Sequence, residues 1–387
     1  MRAAALLFTL IFTTTGPFGL QAQWSLQDSR TTADLRGIDN VGGGVAWASG
    51  TNGTVLRTED AGFVWQRCTI PLGAEHLDFR GIQAFDNNTA IVMSSGPGDQ
   101  SRLYKTTDGC QSWKLVATNP DKNGFWDAVR FHSEVDVVGE KSGAKEALIL
   151  GDSVDAKLKL WEWKEGWEER ELEPTYHGPR NVIASESSFA ASNSVLQIAT
   201  TPQLDKTWKY KFRWASGTAT KAFISYVRDE QTKTCEPCRE ESGQVEVPMS
   251  GGTDSAGIFS FVFRSELIGV AVGGDFKKQE SDKRSASVTS DGGLSWKLST
   301  TFPHGYRSSV AYDPTTHTWL TVGPNGTDIS TDDGRNWRPL RPNPAFPDTQ
   351  PDEDQHWNAL SLPFVVGPHG RIATLRPSAL APATPAP

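Results

Sequence analysis

The 387-residue sequence predicts an all-β chain folded as a seven-bladed β-propeller of four-stranded antiparallel blades, the last blade closed by the N-terminal strand. Three observations predict it. A quartet of the form Ser/Thr-x-Asp-x-Gly-x-x-Trp recurs four times, a strand-opening phrase recurs seven times, and the two chain ends each carry part of one sheet. Composition agrees: 36 Gly, 23 Pro and 14 Trp supply turn formers and large flat side chains, and no long stretch has helical periodicity.

The quartets are Thr58-Asp60-Gly62-Trp65, Thr106-Asp108-Trp113 with Cys110 in the glycine position, Thr289-Asp291-Gly293-Trp296 and Ser330-Asp332-Gly334-Trp337. They resemble the Asp-box of sialidase-type and related propellers. Hydroxyl and carboxylate can each accept hydrogen bonds from backbone N–H groups in the turn, the glycine position needs φ > 0, and the Trp packs under the hairpin. Each quartet is therefore expected to staple a hairpin tip on the outer rim, with no catalytic or metal role.

The opening phrases are Leu35-Arg36-Gly37-Ile38, Phe79-Arg80-Gly81-Ile82, Phe125-Trp126-Asp127-Ala128, Ser188-Phe189-Ala190-Ala191, Gly257-Ile258-Phe259-Ser260, Gly305-Tyr306-Arg307-Ser308 and Trp357-Asn358-Ala359-Leu360. They place two units with enlarged loops in the gap from Asp108 to Asp291. The third unit carries its hairpin at Leu158 to Trp163, turning at Lys164-Glu165-Gly166, and the fourth at Phe223 to Val227. The last unit ends with Phe364 to Gly367 and Arg371 to Leu375, without a quartet or a fourth strand. Trp24-Ser25-Leu26-Gln27 is predicted to supply that strand, because sharing one sheet between the chain ends removes an open edge.

Residues 1–22 read as a signal peptide: Arg2, an apolar run from Ala3 to Phe12 and a small-residue exit at Ala22. The mature protein is expected in the periplasm or outside the cell, as a monomer that does not span a membrane. The propeller covers 23–375, and the Pro/Ala-rich tail 376–387 is expected to be disordered. A net charge of −8 argues against nucleic acid as a partner. Cys235 and Cys238 read as a local disulfide in place of the fourth unit's missing quartet, whereas pairing of Cys68 with Cys110, in neighbouring units, stays open. Histidines are too scattered for a zinc site, and Gly273-Gly274-Asp275 sits in a β-unit with no helix after it. Neither a metal nor another cofactor is expected.

Several phrases resemble the bacterial relatives of the photosystem II assembly and stability factor family. They are Phe125 to Ala128, Glu186 ahead of Phe189 to Asn193, Gly257 to Ser260 with Gly269 to Asp275, Gly305 to Ser308, and Val366-Gly367 with Gly370-Arg371-Ile372. The resemblance implies a seven-bladed propeller that acts by binding; the photosynthetic members assist assembly of a membrane protein complex and have no established chemistry. It thus implies a protein or peptide partner.

In a propeller the innermost strands face the central channel, so Arg36, Arg80 and Arg307 are expected to meet Asp127, Glu186 and Asn358 around one mouth, with Tyr306 beside them. Such a group either neutralises itself or takes a carboxylate or peptide end, which arginine forks suit. The competing expectation is a glycan-active or glycan-binding sialidase-like protein. That class needs an Arg-Ile-Pro segment, absent here, and Tyr306, Asp127 and Glu186 would have to imitate its nucleophile and acid.

Overall fold

A computed structural model describes residues 23–132, 146–155, 157–164, 173–174, 186–189, 192–198, 208–230, 240–249, 251, 253–340 and 352–380. The described strands form seven four-stranded antiparallel sheets, with no α-helix among the described residues. Blade 1 holds β2 (Leu35–Gly42), β3 (Val45–Gly50), β4 (Val55–Thr58) and β5 (Gln66–Arg67). Blade 2 holds β6 (Phe79–Ala84), β7 (Ala90–Ser94), β8 (Arg102–Thr106) and β9 (Lys114–Thr118). Blade 3 holds β10 (Trp126–His132), β11 (Glu146–Val154), β12 (Lys157–Lys164) and β13 (Glu173–Pro174). Blade 4 holds β14 (Leu196–Ile198), β15 (Trp208–Gly217), β16 (Ala222–Glu230) and β17 (Glu240–Val247). Blade 5 holds β18 (Ala256–Phe263), β19 (Gly269–Asp275), β20 (Ala286–Thr289) and β21 (Lys297–Leu298). Blade 6 holds β22 (Ser309–Asp313), β23 (Thr318–Gly323), β24 (Gly326–Ser330) and β25 (Arg338–Pro339). Blade 7 holds β26 (Ala359–Ser361), β27 (Phe364–Val366), β28 (Ile372–Leu375) and β1 (Trp24–Leu26).

The N-terminal strand closes blade 7 as expected, with Trp24, Ser25 and Leu26 opposite Leu375, Thr374 and Ala373. The predicted hairpin strands of the third and fourth units are β12 and β16. Residues 1–22, the expected turn at Glu165-Gly166 and the expected Cys235–Cys238 pair fall outside the described residues. Of the expected tail, Pro377–Leu380 form one 3-10 turn and Leu380 packs against the cluster around Trp24 and Trp357, while 381–387 lie outside the described residues.

Apolar side chains bury as layers between adjacent blades. One layer joins Trp47 and Val55 of blade 1 to Phe79, Ile82 and Tyr104 of blade 2; another joins Leu35, Ala48 and Leu56 of blade 1 to Phe364 and Val366 of blade 7. The first strands present an unpaired edge toward the axis, and in blades 1, 2, 3 and 6 a side chain of the preceding blade accepts from an N–H on that edge. Ser361 Oγ accepts from Asn40 N at 3.0 Å, Asp39 Oδ2 from Ala84 N at 2.7 Å, Gln83 Oε1 from Phe131 N at 2.9 Å, and Ser260 Oγ from Val310 N at 3.0 Å.

The four quartets adopt one hydrogen-bonding pattern. In the first, Thr58 Oγ1 donates to Asp60 Oδ1 at 2.8 Å, Gly62 N donates to Thr58 Oγ1 at 3.0 Å and Val64 N to Asp60 Oδ1 at 2.9 Å. The other three repeat these contacts. The turn's special position has φ of 88°, 66°, 91° and 75° at Gly62, Cys110, Gly293 and Gly334. The tryptophans differ from the expectation of packing under their own hairpin. Trp65 enters the layer shared with blade 7, Trp296 the layer with blade 4, and Trp337 the layer with blade 5. Each rivets its blade to the one before, because a ring of sheets offers a large indole an apolar slot between blades and only solvent outside them.

Cys110 stands where the other quartets have glycine, and it is bonded to Cys68 at a Cα–Cα distance of 5.3 Å. Closing this loop of 42 residues' separation between blades 1 and 2 contributes on the order of 2–4 kcal/mol.

Candidate functional site

The site is built by a β-bulge that recurs in the first strand of the blades. In blade 1 Leu35 pairs with Gly50 and Gly37 with Ser49, so Arg36 is an extra residue outside the ladder. Arg80, Asp127 and Phe259 occupy the same place in blades 2, 3 and 5. A bulge residue escapes the alternation of the strand and can be aimed where neither face points. Because all the first strands run in one sense, these residues lie at one end of the ring, around one mouth.

Arg36 and Arg80 converge on a carboxylate that the sequence reading missed. Arg80 Nε donates to Asp78 Oδ2 at 2.8 Å, while Arg36 Nε lies 3.6 Å from Asp78 Oδ1 and Arg36 Nη2 lies 3.8 Å from Asp34 Oδ2. Both arginine side chains keep 32% of their surface exposed. Arg80 also covers the Phe125 ring, 5.9 Å from its centroid. The signal was the recurrence of Asp-x-Arg at Asp34-Leu35-Arg36 and Asp78-Phe79-Arg80.

Asp127 is buried beside them, and its Oδ2 has no hydrogen-bond partner. Burial, then the charge of Asp152, raises its pKa well above the usual carboxylate range, against a smaller opposing pull from Arg80. Burial raises Asp152 as well, although Ser188 N donates to its Oδ1 at 3.2 Å. A proton that the folded state holds more tightly makes stability fall as pH rises from the unfolded aspartate value of about 4 toward the folded one. Asp127→Asn is expected to flatten that slope, read as the change in urea unfolding free energy between about pH 5 and pH 8; an unaltered slope would contradict the burial of a protonated acid here.

Glu186 is buried as a strut of blade 4, accepting from Gln244 Nε2 at 2.9 Å and Ser216 Oγ at 3.2 Å. Asn358 takes the bulge place in blade 7, and its Nδ2 donates to Leu35 O at 2.8 Å, tying blade 7 to blade 1.

Two expected members are elsewhere. Ser309 pairs with Val322 and Arg307 N donates to Gly273 O at 2.9 Å, so Ser308 holds the bulge place of blade 6 and Arg307 holds the core place of Leu35 or Trp357. The opening phrase of this blade is offset by one residue, which turns the arginine from the mouth into the wall. The Arg307 side chain is 0% exposed and paired with Asp328. Tyr306 is buried with its ring edge-on to Phe259 at 4.7 Å, and burial drives its phenol pKa upward, away from use as a nucleophile.

Blade 4 departs most. Ser187 bridges Gly217, and Val195 O accepts from Ala215 N, so Ser188, Phe189, Ser192 and Asn193 stand between these two pairings where other blades have a single bulge residue. They form an excursion ahead of the first strand, which is β14; Ala190 and Ala191 of the expected opening phrase lie outside the described residues. The far end of the excursion crosses the axis: Asn193 Oδ1 accepts from Val129 N at 2.7 Å, Asn193 Nδ2 donates to Ile82 O at 3.4 Å, and Ser192 Oγ donates to Ser308 O at 3.1 Å. These bonds to blades 3, 2 and 6 put a floor under the mouth. Phe189 of the same excursion stacks on Phe259, with centroids 4.1 Å apart and planes at 23°. The mouth is thus charged on blades 1 to 3 and aromatic on blades 4 and 5.

Among the described residues no group of three or more His, Cys, Asp or Glu side chains could hold a metal ion, and no helix is long and apolar enough to cross a membrane. No protein-family model matches the chain, and no curated protein does. Solved propellers are similar in fold. YCF48 bound to D1 peptide has 15% identity and a TM-score of 0.56, over 92% of this chain and 98% of that one. YCF48 from Cyanidioschyzon merolae has 14% identity and the same TM-score of 0.56, over 92% and 100%. The WD40 propeller domain of Doa1 has 11% identity and a TM-score of 0.51, over 93% and 100%. The likeness is one of fold: the chain is a seven-bladed β-propeller resembling the YCF48 propellers.

Proposed function

We propose that this chain is an exported, non-catalytic propeller that binds a protein or peptide partner at the Arg36–Asp78–Arg80 mouth and serves as an assembly or stability factor for an envelope complex. The observation that carries it is the pair of half-exposed arginines from adjacent blades, held at equivalent bulges by one shared carboxylate above a closed floor. Two guanidinium forks so fixed can exchange Asp78 or water for a ligand carboxylate at little cost in side-chain ordering. The peptide carried by a structurally similar propeller supports a peptide occupant. The Cys68–Cys110 disulfide suits an oxidising compartment, which supports reading residues 1–22 as an export signal, and the hydrogen bonding shared by the four turns supports reading the quartets as Asp-boxes.

The test is affinity capture from native envelope extracts with wild type and with the double variant Arg36→Ala, Arg80→Ala. The expected result is a specific partner captured by the wild type and lost by the variant at unchanged unfolding temperature. A partner list that does not differ rejects this mouth as the site, and turnover of sialosides or other glycosides by the purified protein would replace the reading with a glycan-active one.

A further inference from the structure

We infer that the aromatic half of the mouth, Phe189 laid on Phe259, is a subsite for an apolar side chain, so that the favoured ligand is a peptide pairing a carboxylate with a neighbouring aromatic or branched aliphatic residue. The inference rests on the binding reading above and specifies its ligand.

Four features make the stack a built surface and not spare core. Phe259 stands at the bulge place of blade 5, equivalent to Arg36 and Arg80. Neither Phe189, Phe259 nor Phe276 belongs to an inter-blade layer, although Ile258 and Phe261 on either side of Phe259 do. Phe259 itself is buried, 4% exposed, and backs a surface made by the half-buried Phe189 and by Phe276, which is 39% exposed with its ring 6.1 Å from Phe259 and edge-on to it. Gly257 makes room for the stack: a Cβ there would meet the Phe189 ring at 2.6 Å.

The two halves adjoin. Ser188, the residue before Phe189, is bonded through its N–H to Asp152, and the charges of Asp152 and Arg80 both act on Asp127, the bulge residue of the blade between the two halves. A peptide whose carboxylate reaches Arg36 and Arg80 therefore brings an adjacent side chain to the rings. Flat aromatic faces reward apolar contact and, for an aromatic guest, add about 0.5–1.5 kcal/mol beyond buried area. A sugar could also stack, but it needs polar partners along its edge, and the hydroxyls of Ser188 and Ser192, which flank Phe189 in sequence, are engaged: Ser192 Oγ with Ser194 and Ser308 O, Ser188 Oγ with Ala215 O.

The experiment is selection of random linear peptides displayed on phage against wild type, Phe189→Ala, Gly257→Ala and Arg36→Ala with Arg80→Ala, each confirmed folded by its unfolding temperature. Wild type should enrich peptides with an acidic residue or free C-terminus next to Phe, Trp, Leu or Ile. A synthetic peptide of that consensus should bind Phe189→Ala and Gly257→Ala about tenfold more weakly, while its analogue with Ala at the apolar position binds all three alike. The double arginine variant should retain only apolar selection. Enrichment of acidic peptides without apolar preference, or apolar preference surviving in both aromatic-side variants, overturns the subsite and leaves the arginine site standing. Enrichment of nothing overturns the peptide-binding reading itself, and stacking of a glycan lost in Phe189→Ala would name a different occupant and overturn this one.

Discussion

Arg307→Ala is expected to destabilise the propeller by about 3–5 kcal/mol, because it removes one partner of a fully buried ion pair and strands the other. Arg307 Nε donates to Asp328 Oδ2 at 2.9 Å, and a second bond runs from Nη2 to the same oxygen. Arg307 Nη1 donates to Tyr306 O at 2.9 Å, and Nη2 lies 2.8 Å from His304 Nδ1. Burial alone would raise the Asp328 pKa, yet hydrogen bonding and charge from His304 and Arg307 hold it below the usual carboxylate range. Without the guanidinium, Asp328 keeps the cost of burial and loses the charge and both hydrogen bonds of Arg307, with only His304 left to offset it. Guanidinium chloride unfolding of the variant measures the loss; a difference under about 1 kcal/mol would mean that the pair contributes no more than an exposed salt bridge. Peptide capture at the mouth should be retained by whatever fraction stays folded, which separates this residue from Arg36 and Arg80.

Trp24→Ala carries the second large effect, about 3–5 kcal/mol for truncating a buried tryptophan. Trp24 is 1% exposed, its Nε1 donates to Thr327 Oγ1 at 3.0 Å, and its ring packs 5.8 Å from Trp357. Thr327 in turn bonds Asp354, which also accepts from Trp357 Nε1 at 3.3 Å. The indole therefore pins a three-residue strand to blades 6 and 7 at once, and its loss frees the edge of β28. Unfolding by denaturant together with limited proteolysis should show lower stability and early cleavage near residue 376. Full stability with an intact chain would show that the strand closes the ring without help from its tryptophan.

The propeller was legible because its determinants are local and repeated. A hydroxyl, a carboxylate, a glycine and a tryptophan at fixed spacing define a turn wherever they occur, and an unpaired strand at each chain end requires a partner. Long-range register was not legible. Tyr306-Arg307 reads like Phe79-Arg80, and only the bond from Arg307 N to Gly273 O shows that the two arginines differ by one place and so by one face. Phe189-Ala190-Ala191 reads as a strand start because apolar residues run together there; that Asn193 crosses the axis depends on Ile82 and Val129, which are remote in sequence. Asp78 is hidden for a simpler reason: it stands one residue ahead of the opening phrase Phe79-Arg80-Gly81-Ile82, so the Asp-x-Arg recurrence lies half outside the repeat. The quartet tryptophans were assigned to the right turns but to the wrong neighbours, since nothing within a quartet specifies the adjacent blade.

The bulge uncouples recognition from architecture. At that one position in blades 1 to 3 and 5 to 7 the chain presents Arg, Asp, Phe, Ser or Asn while the flanking residues keep their pairing and their place in the core. Substitutions there can redraw the chemistry of the cup without renegotiating the sheets that hold it, so affinity for a new guest can be grafted onto this ring residue by residue.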